Sequence, residues 1–382
     1  MLRPLFVTGS LMHGGAERHS ITVMNRLADR GHQCHAVYIK NAQDLLAQIQ
    51  PRDGTTVRCM NADGFFDLRA IGNFAAHIFK VRPSVIVAAN GYALMNASLA
   101  RLRSGLDIPV VATFHTTRLL ETKNQVKGLI DRPFFWSAER TVFVCKMQKK
   151  YWLRRGLGSR KNEVIYNGVD TEYFCDRSTP DERRNRRKTY GIAETDYVVG
   201  IAALLRPEKN HLQLIDAIVA LRSMGIPARA LMIGDGPMRG PIEAKARELG
   251  VGDEVLITGL QQDVRPHMAI CDAMVLCSLS ETFSLAALEA MAMGKAVVHS
   301  EVGGAAEMII PGHNGFLFTV GDTEALVCKL SLLAEPQVAQ RMGGCARAMV
   351  ENDFSEKSMV DRYEETLLDA CSQNADSLRP AG

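Results

Sequence analysis

The sequence predicts an α/β protein with two Rossmann-like domains, each built around a parallel sheet. Short apolar runs typical of buried strands alternate with helical patterns, and this alternation indicates βαβ units. The alternation restarts after a polar segment near the middle of the chain. A length of 382 residues is too great for one ordinary core and fits two domains. We therefore expect two parallel sheets that face a cleft.

Six strands are predicted in the first half of the chain. Each is a short apolar run that is followed by a helical or polar segment. The predicted ranges are 5–8, 33–39, 56–60, 85–88, 110–113 and 141–144. Residues 17–30 are predicted to form the first crossover helix.

Six further strands are predicted in the second half, at 197–204, 229–233, 254–258, 273–277, 296–299 and 315–318. The segment 176–187 is polar and lacks apolar periodicity, so we expect a domain boundary near 170–187. The predicted domains are residues 1–172 and 173–354. A C-terminal helix and tail should follow over 355–382.

The composition excludes several classes of protein. Hydrophobic residues make up 47% of the chain and charged residues 23%, which is typical of a globular enzyme. No apolar run approaches the roughly 18 residues of a membrane span. The first ten residues lack the apolar region of a signal peptide, so we expect a cytoplasmic protein. Nine cysteines without Cys-x-x-Cys spacing predict reduced thiols rather than disulfides or zinc.

Positive charge is unevenly distributed although the net charge is only +3, which does not indicate a nucleic-acid partner. Two basic clusters stand out: Lys146, Lys149, Lys150, Arg154, Arg155, Arg160 and Lys161, and then Arg183, Arg184, Arg186, Arg187 and Lys188. The first cluster surrounds Tyr151 and Trp152. Such a segment predicts a peripheral contact with an anionic membrane surface or acceptor. The alternative for the two clusters is a solvated helix face plus a flexible linker.

The most informative segment is 280–298. An amphipathic helix is predicted to begin near Ser284, with Leu285, Leu288 and Met291 on its buried side and Gly294 at its C-terminal end. Free backbone N–H groups of Ser284 and Leu285, together with the helix dipole, would bind a phosphate.

Two carboxylates flank that predicted phosphate site. Glu281 precedes the helix, and Glu289 follows eight residues later inside it. Since a carboxylate does not bind a phosphate, both should accept hydrogen bonds from hydroxyl groups such as those of a sugar or ribose. The pair therefore indicates a nucleotide sugar. The alternative is that both are solvated charges near a helix start.

Two cations follow the predicted strand at 197–204. Arg206 and Lys209 lie three residues apart in a loop and are predicted to clamp a diphosphate; the alternative is an exposed basic loop. The chain contains no Asp-x-Asp pair that would hold a magnesium ion. We therefore expect neither a metal nor a cofactor, and the cations would neutralise the diphosphate instead.

Two further candidates lie in the first half. His115 follows the strand at 110–113, at the edge where parallel sheets bind ligands; the alternative is a structural histidine. Gly14 and Gly15 form a turn that opens the first helix, where a backbone can approach a ligand closely. A plain βα turn is equally consistent with this pattern.

These motifs, above all Glu281-x7-Glu289 with the following Ala-Met-Ala-Met-Gly, resemble those of retaining glycosyltransferases of family 4 (GT4 type) over nearly the whole chain. The resemblance implies a GT-B fold, in which the last helix crosses back to the N-terminal domain. It implies catalytic roles for His115, near the reacting carbon, and for Glu281. The donor would be bound by Gly15, Arg206, Lys209, Phe283, Ser284, Leu285 and Glu289.

The turn at Asn167-Gly168 also resembles a family segment and is assigned to the interdomain hinge without a catalytic role. Thr282 and Ser284 replace the glycine, and the glycine or proline, of many relatives, so the shape of the sugar pocket stays open.

The predicted function is retaining transfer of a sugar from a nucleotide-diphosphate sugar to an acceptor hydroxyl, in synthesis of cell-surface polysaccharide, lipopolysaccharide or glycolipid. The predicted location is the cytoplasm or the cytoplasmic membrane face. Two alternatives are a non-hydrolysing nucleotide-sugar epimerase, which would need acid and base carboxylates in the first domain, and a catalytically silent scaffold of the same fold.

Overall fold

The structure is a computed structural model that describes residues 1–12, 14–50, 52–116 and 122–377, with the backbone alone over 122–129 and 373–377. His13 and Thr117, which belong to two of the predicted loops, lie outside these ranges. The chain divides into two compact units. The first unit contains Met1–Tyr166 and the chain from Ser358 onward, and the second contains Asn167–Lys357. The predicted boundaries, after residues 172 and 354, lie a few residues from these divisions.

The first unit is a seven-stranded parallel sheet in the order β3-β2-β1-β4-β5-β6-β7. Its elements are β1 Pro4–Thr8, α1 Gly15–Asp29, β2 His35–Tyr38, β3 Val57–Cys59, α2 Leu68–Val81, β4 Val85–Ala89, α3 Asn90–Ser104, β5 Val110–Phe114, α4 Thr122–Ser137, β6 Arg140–Phe143, α5 Lys146–Leu153 and β7 Lys161–Val164. All six predicted strands are confirmed. The seventh, β7, was missed because its sequence Lys-Asn-Glu-Val at the sheet edge carries no apolar run.

The second unit is a six-stranded parallel sheet in the order β10-β9-β8-β11-β12-β13. Its elements are α6 Pro180–Thr189, β8 Tyr197–Ala202, α7 His211–Ser223, β9 Ala228–Ile233, α8 Arg239–Glu248, β10 Val255–Ile257, α9 Arg265–Ala269, β11 Ala273–Leu276, α10 Leu285–Ala292, β12 Ala296–Ser300, α11 Ala305–Met308, β13 Gly315–Phe318, α12 Thr323–Leu333 and α13 Pro336–Asp353. All six predicted strands are present here too.

The alternative that the second basic cluster lies in a flexible linker is wrong. Residues 180–189 form the helix α6, which begins with a capping box between Thr179 and Glu182. The side chain of Thr179 accepts from the Glu182 backbone N–H, and the Glu182 carboxylate accepts from the Thr179 N–H. This helix buries no residue, so it lacks the apolar periodicity on which the prediction relied, and its cap stabilises it instead.

The C-terminal helix α14 (Glu356–Ser377) begins in the second unit and continues in the first. Its Val360, Tyr363 and Leu367 are buried in a core cluster with Phe6 and Leu27. The predicted crossing helix is therefore confirmed. Among the helices that the structure describes, none combines the length and apolar character needed to span a bilayer.

Each sheet reverses its strand order at one point, between β1 and β4 in the first unit and between β8 and β11 in the second. In open parallel sheets, ligands bind outside the carboxyl ends of the strands at such a switch point. The loop that follows β8 carries Arg206 and Lys209, and the loop that follows β11 carries Glu281. The topology thus brings the predicted cations and the predicted carboxylate to one crevice.

Candidate active site

Lys209 and Glu281 form an ion pair at the β8–β11 switch point. Lys209 ends a 3-10 turn, Pro207–Lys209, and its Nζ donates to Oε1 of Glu281. The hydroxyl of Ser278, the second residue after β11, donates to the same carboxylate oxygen at 3.1 Å. The two charged side chains are 26% and 16% exposed, so solvent screens the pair only in part. Two residues predicted to bind different parts of one ligand therefore contact each other.

Buried polar groups hold Ser278, which in turn donates to the Glu281 carboxylate. The Ser300 hydroxyl donates to the Ser278 carbonyl at 2.7 Å. His299, 1% exposed at the end of β12, places Nδ1 2.7 Å from the Ser300 carbonyl. Burial lowers the pKa of His299, although the nearby Glu281 acts in the opposite direction. The imidazole is neutral at pH 7. Ser278 and His299 were not identified from the sequence, where nothing distinguishes them from ordinary strand-end residues.

Arg206 is the more accessible of the two predicted cations. Its side chain is 49% exposed, and its nearest carboxylate is Glu208 at 4.0 Å. The Glu208 carbonyl accepts from the Leu279 N–H at 2.8 Å, which ties the cation loop to the loop after β11. Arg206 can therefore approach an anion without first leaving a close ion pair.

The loop over Glu281–Ser284 is held by the turn between β12 and α11. Gly303 has φ +55°, and a Cβ atom at this position would contact the carbonyl oxygens of Glu281 and Thr282. The Gly304 N–H donates to the Thr282 carbonyl at 2.7 Å. Only glycine combines this backbone conformation with so close an approach. The Gly303-Gly304 turn thus fixes the backbone that carries Glu281.

The predicted helix at Ser284 is confirmed as α10. Ser284 is its N-cap and accepts from the Ala287 N–H at 3.3 Å, while the N–H groups of Ser284 and Leu285 donate to no residue within the described ranges. Leu288 and Met291 are buried and Leu285 is half-buried. Gly294 follows the C-cap with φ +71°. Glu289 lies half-buried one helical turn after Leu285.

Asn167 contacts this loop as well, which sequence reasoning missed. Its Nδ2 donates to the Phe283 carbonyl at 3.0 Å. The Phe283 ring is 4% exposed and lies 5.5 Å from the ring of Phe354, between centroids. Phe283 is therefore a buried anchor of the loop. Asn167, assigned only to a hinge, takes part in the candidate site.

His115 lies directly after β5 in the first unit. Its backbone N–H donates to Oδ1 of Asn90 at 2.9 Å, and Asn90 itself has φ +65°. The ring of His115 lies 4.7 Å from that of His19, whose Nε2 is 2.9 Å from the Tyr363 hydroxyl. Burial lowers the pKa of His115 to about 4. His115 is therefore neutral at pH 7, and its ring lies beside that of His19.

Gly15 is the exposed first residue of α1. A Cβ atom at Gly15 would meet no atom within 4 Å, so packing inside the first unit does not require glycine here. At the preceding Gly14, an added Cβ would contact the carboxylate of Glu17, and burial raises the pKa of that carboxyl. The helix start is open on the side of Gly15, as close approach of a ligand would require.

Trp152 is a core residue of the first unit. It is 4% exposed, and its Nε1 donates to the Thr116 carbonyl at 2.8 Å. Its ring lies 5.0 Å from that of Phe114, so it is not available to a membrane surface. The cations Lys150 and Arg154 on the same segment are exposed. Trp152 therefore takes no part in an exposed basic surface, and the peripheral membrane contact stays a prediction.

A surface cavity of about 260 Å³ in the second unit lies away from all of these residues. Four arginines contribute to its wall, namely Arg177, Arg183, Arg186 and Arg265. Arg265 is paired with Asp263 and Arg183 with Asp176, so much of this charge is neutralised internally. Within the residues that the structure describes, His, Cys, Asp and Glu side chains form no group of three or more that could hold a metal ion.

Two family models match the chain, one in each half. Residues 13–173 match the model described as Glycosyltransferase Family 4, and residues 182–349 match Glycosyl transferases group 1. The chain belongs to glycosyltransferase family 4. The predicted family is therefore confirmed.

Curated relatives of this glycosyltransferase differ in what they act on. One is N-acetyl-alpha-D-glucosaminyl L-malate synthase of Bacillus anthracis, 31% identical over 54% of this chain and 53% of the relative. Another is the GDP-mannose-dependent alpha-(1-6)-phosphatidylinositol monomannoside mannosyltransferase of Mycolicibacterium smegmatis, 31% identical over 60% of this chain and 62% of the relative. The chain thus spans between about half and three-fifths of the length of these relatives.

Solved structures share the fold of this glycosyltransferase. Anabaena HepE in complex with UDP superposes with a TM-score of 0.84 at 23% identity, over 96% of this chain and 100% of that chain. The same Anabaena protein in complex with UDP-glucose gives a TM-score of 0.82. At this level of identity the likeness establishes the fold, and the predicted GT-B class is confirmed.

Proposed function

We propose that this chain transfers a sugar from a nucleoside diphosphate sugar to an acceptor hydroxyl, with retention at the anomeric carbon. The observation that carries this proposal is the ion pair between Lys209 and Glu281 at the switch point, beside the N-terminus of α10. The pair offers a cation for phosphate and a carboxylate for sugar hydroxyls in one crevice. Family membership supports the same reaction class.

The diphosphate is the part of the donor that the site recognises by charge. Arg206 supplies the planar N–H donors of its guanidinium group, and Lys209 supplies a single ammonium charge. Ser284 and Leu285 add two backbone N–H groups at a helix N-terminus. Because Lys209 is paired with Glu281, we propose that donor binding exchanges the partners of both side chains. Lys209 turns to phosphate, and Glu281 accepts hydrogen bonds from the sugar.

The reaction proceeds on the front face of the sugar. The bond between the anomeric carbon and the leaving phosphate oxygen breaks, and the acceptor oxygen forms its bond to the same carbon from the same side. The leaving phosphate oxygen takes the acceptor proton. Arg206, Lys209 and the Ser284 N–H stabilise the negative charge that develops on the diphosphate, so this scheme requires neither a protein nucleophile nor a metal.

The remaining predicted residues contact the rest of the donor. His115 accepts or donates a hydrogen bond near the reacting carbon, since its lowered pKa keeps the ring neutral. Gly15 lets the start of α1 approach the phosphate and the acceptor. Glu289, half-buried in α10, holds the ribose, with Phe283 and Leu285 as apolar neighbours.

The acceptor class is proposed from relatives. The Mycolicibacterium relative is named for a phosphatidylinositol monomannoside, and an Escherichia coli relative, 23% identical over 72% of its length, for a sugar on diphosphoundecaprenol. A solved neighbour at TM-score 0.73 is described as involved in lipopolysaccharide biosynthesis. We propose an acceptor of cell-surface polysaccharide, lipopolysaccharide or glycolipid synthesis, used in the cytoplasm or at the cytoplasmic membrane face, where exposed Lys150 and Arg154 meet anionic headgroups.

The proposal is tested by a thermal-shift panel of UDP-, GDP- and ADP-sugars, run with and without EDTA. We expect the sugars of one of these three nucleotides to raise the melting temperature, and to raise it by the same amount with and without EDTA. Glu289→Ala should abolish the shift because it removes the ribose contact, whereas Glu248→Ala, an exposed glutamate at the end of α8, should leave it unchanged. No stabilisation by any nucleotide sugar would refute the proposed donor class, and a full shift in Glu289→Ala would refute the ribose assignment.

A further inference from the structure

A buried side-chain amide touches the predicted phosphate-binding loop from the segment that leads out of the first unit. Asn167 is 6% exposed, and its Nδ2 donates to the Phe283 carbonyl at 3.0 Å, across 116 residues of sequence. Its Oδ1 is buried and accepts no hydrogen bond within the described ranges. Within the described ranges, this buried carboxamide therefore makes one hydrogen bond, the one to the Phe283 carbonyl.

The carbonyl that Asn167 holds belongs to the same peptide group as the N–H of Ser284. A peptide group is planar, and in its trans form the C=O and the N–H point in opposite directions. Fixing the Phe283 oxygen toward Asn167 therefore aims the Ser284 N–H to the opposite side. There it donates to no residue in the part of the chain that the structure describes.

Asn167 is itself rigidly placed. A Cβ atom at the adjacent Gly168 would lie 2.6 Å from the Ser355 carbonyl oxygen, so the two backbones are in close contact. Val169 donates to the Phe354 carbonyl at 3.0 Å and accepts from the Glu356 N–H at 2.9 Å. The two chain segments that lead to the first unit thus pair with each other beneath Phe283, and they hold Asn167 in place.

We propose that Asn167 is a positioning residue for the donor diphosphate, because it locks the Phe283–Ser284 peptide group with the Ser284 N–H directed at the phosphate. This inference rests on the proposed function, which places the diphosphate at the start of α10. Without the amide, the peptide group is free to rotate, and the N–H loses its fixed direction. The first turn of α10 would then bind an anion with one donor fewer.

The first measurement is the Kd of UDP, and of GDP and ADP, for the protein and for Asn167→Ala. In Asn167→Ala the Ser284 N–H is no longer aligned with the diphosphate. Binding should therefore weaken about tenfold, equivalent to about 1.4 kcal/mol, and kcat/KM should fall by a similar factor. Asn185→Ala removes an exposed asparagine on α6 and serves as the matched control. Equal Kd values for Asn167→Ala and the unchanged protein would overturn the proposal.

The variant Asn167→Asp separates positioning from packing, because its shape is nearly that of asparagine. An ionised carboxylate repels the Phe283 carbonyl, whereas the protonated form donates to it. Its Kd, divided by that of the unchanged protein at the same pH, should therefore approach one as the pH falls from about 8 to about 5.5. Asn167→Ala should show no such recovery. A deficit in Asn167→Asp that does not change with pH would contradict the proposal.

A ligand-free crystal structure of Asn167→Ala decides the question independently of any donor. We expect the Phe283–Ser284 peptide group to be rotated or present in two orientations. The same orientation as in the unchanged protein would overturn the role of Asn167. If the unchanged protein binds no nucleoside diphosphate, the proposed function fails, and this crystal structure still shows whether Asn167 holds the peptide group. Should Asn167→Ala not fold, Asn167→Asp crystallised at high pH gives the same comparison.

Discussion

At the scale of single residues, Lys209 and Glu281 form an ion pair in which their charges compensate each other. Each is more than 70% buried as a side chain, and Ser278 shares the same carboxylate oxygen. Removing one partner would leave the other charge partly desolvated. The pair therefore holds both side chains in place, and in the proposed reaction a phosphate would replace the partner of one and sugar hydroxyls that of the other.

Replacement of this lysine is expected to impair catalysis more than folding. Lys209→Ala removes a charge that stabilises the leaving diphosphate, so kcat/KM should fall by about 10- to 100-fold, equivalent to about 1.4–2.7 kcal/mol. The measurement is steady-state transfer, or donor hydrolysis if the acceptor is still unidentified. Lys188→Ala, which removes an exposed lysine from α6, should change nothing. Rates within twofold of the unchanged protein for Lys209→Ala would contradict the assigned role.

The residues that sequence reasoning found are those with a local signal. Lys209 and Arg206 follow an apolar strand, and Ser284 stands where a helix pattern begins. Asn167 could not be assigned to the site from its own segment, because its contact with Phe283 crosses 116 residues. His299 was likewise missed, because only its interactions with Glu281 and Lys209 place this buried strand-end histidine at the site.

At the scale of elements, the loop over Glu281–Ser284 depends on a glycine in a different loop. Gly303 approaches the carbonyl oxygens of Glu281 and Thr282 so closely that no Cβ atom fits between them. A side chain there must displace the loop, and with it the Glu281 carboxylate and the start of α10. The Gly303-Gly304 turn therefore supports the proposed donor site although neither residue has a side chain.

Gly303→Ala is accordingly expected to weaken donor binding by about tenfold or more, because the displaced loop loses several contacts together. Gly312→Ala is the matched control, since Gly312 also has positive φ, at +80°, but a Cβ atom there meets nothing within 4 Å. Both variants should lose stability by about 1 kcal/mol from the left-handed backbone. Thermal unfolding and donor Kd are measured for both. Equal donor Kd values for the two variants would show that Gly303 does not support the loop.

A helix could be predicted from the sequence where capping residues accompanied the apolar periodicity. Helix α10 has Ser284 before it and Gly294 after it, and both act as expected. Strand β7 has neither an apolar run nor conspicuous turn residues, since it lies at the sheet edge and is only partly buried. Helix α6 escaped prediction because charged side chains surround it on all sides and its stability comes from the cap at Thr179.

At the scale of the whole molecule, several histidines are buried in the neutral form. Burial lowers the pKa of His77, His115 and His211 to about 4, and that of His19 well below the ordinary value of 6.5. Between about pH 4 and pH 6.5 the unfolded chain binds protons that the folded chain does not. The histidine contribution to stability is therefore complete above about pH 6.5 and is lost as the pH falls toward 4.

The melting temperature should accordingly fall by several degrees between about pH 7 and about pH 5. Calorimetry or circular dichroism measures it. In His77→Gln the pH dependence should be weaker, because one of the buried imidazoles is gone, while His313→Gln replaces an exposed histidine and should leave it unchanged. A melting temperature that is constant or rises over this range would contradict the assignment of neutral buried histidines.

The two-domain architecture was predictable because it depends on repeated patterns rather than on single contacts. Strand and helix signals recur through both halves, and the family motifs span them. The crossing of the last helix came from family resemblance, since nothing in residues 356–377 indicates which core receives them. That partner is known only from the burial of Tyr363 and Leu367 among Phe6, Leu27 and their neighbours.

The placement of α14 has a consequence for how the protein is made. The core around β1 includes Val360, Tyr363 and Leu367, which leave the ribosome hundreds of residues after β1 itself. The second unit, by contrast, has all of its strands available by Phe318. During synthesis, the unit that begins first is therefore completed last. A nascent chain interrupted before residue 358 would contain a complete second unit and a first unit whose apolar core is still exposed.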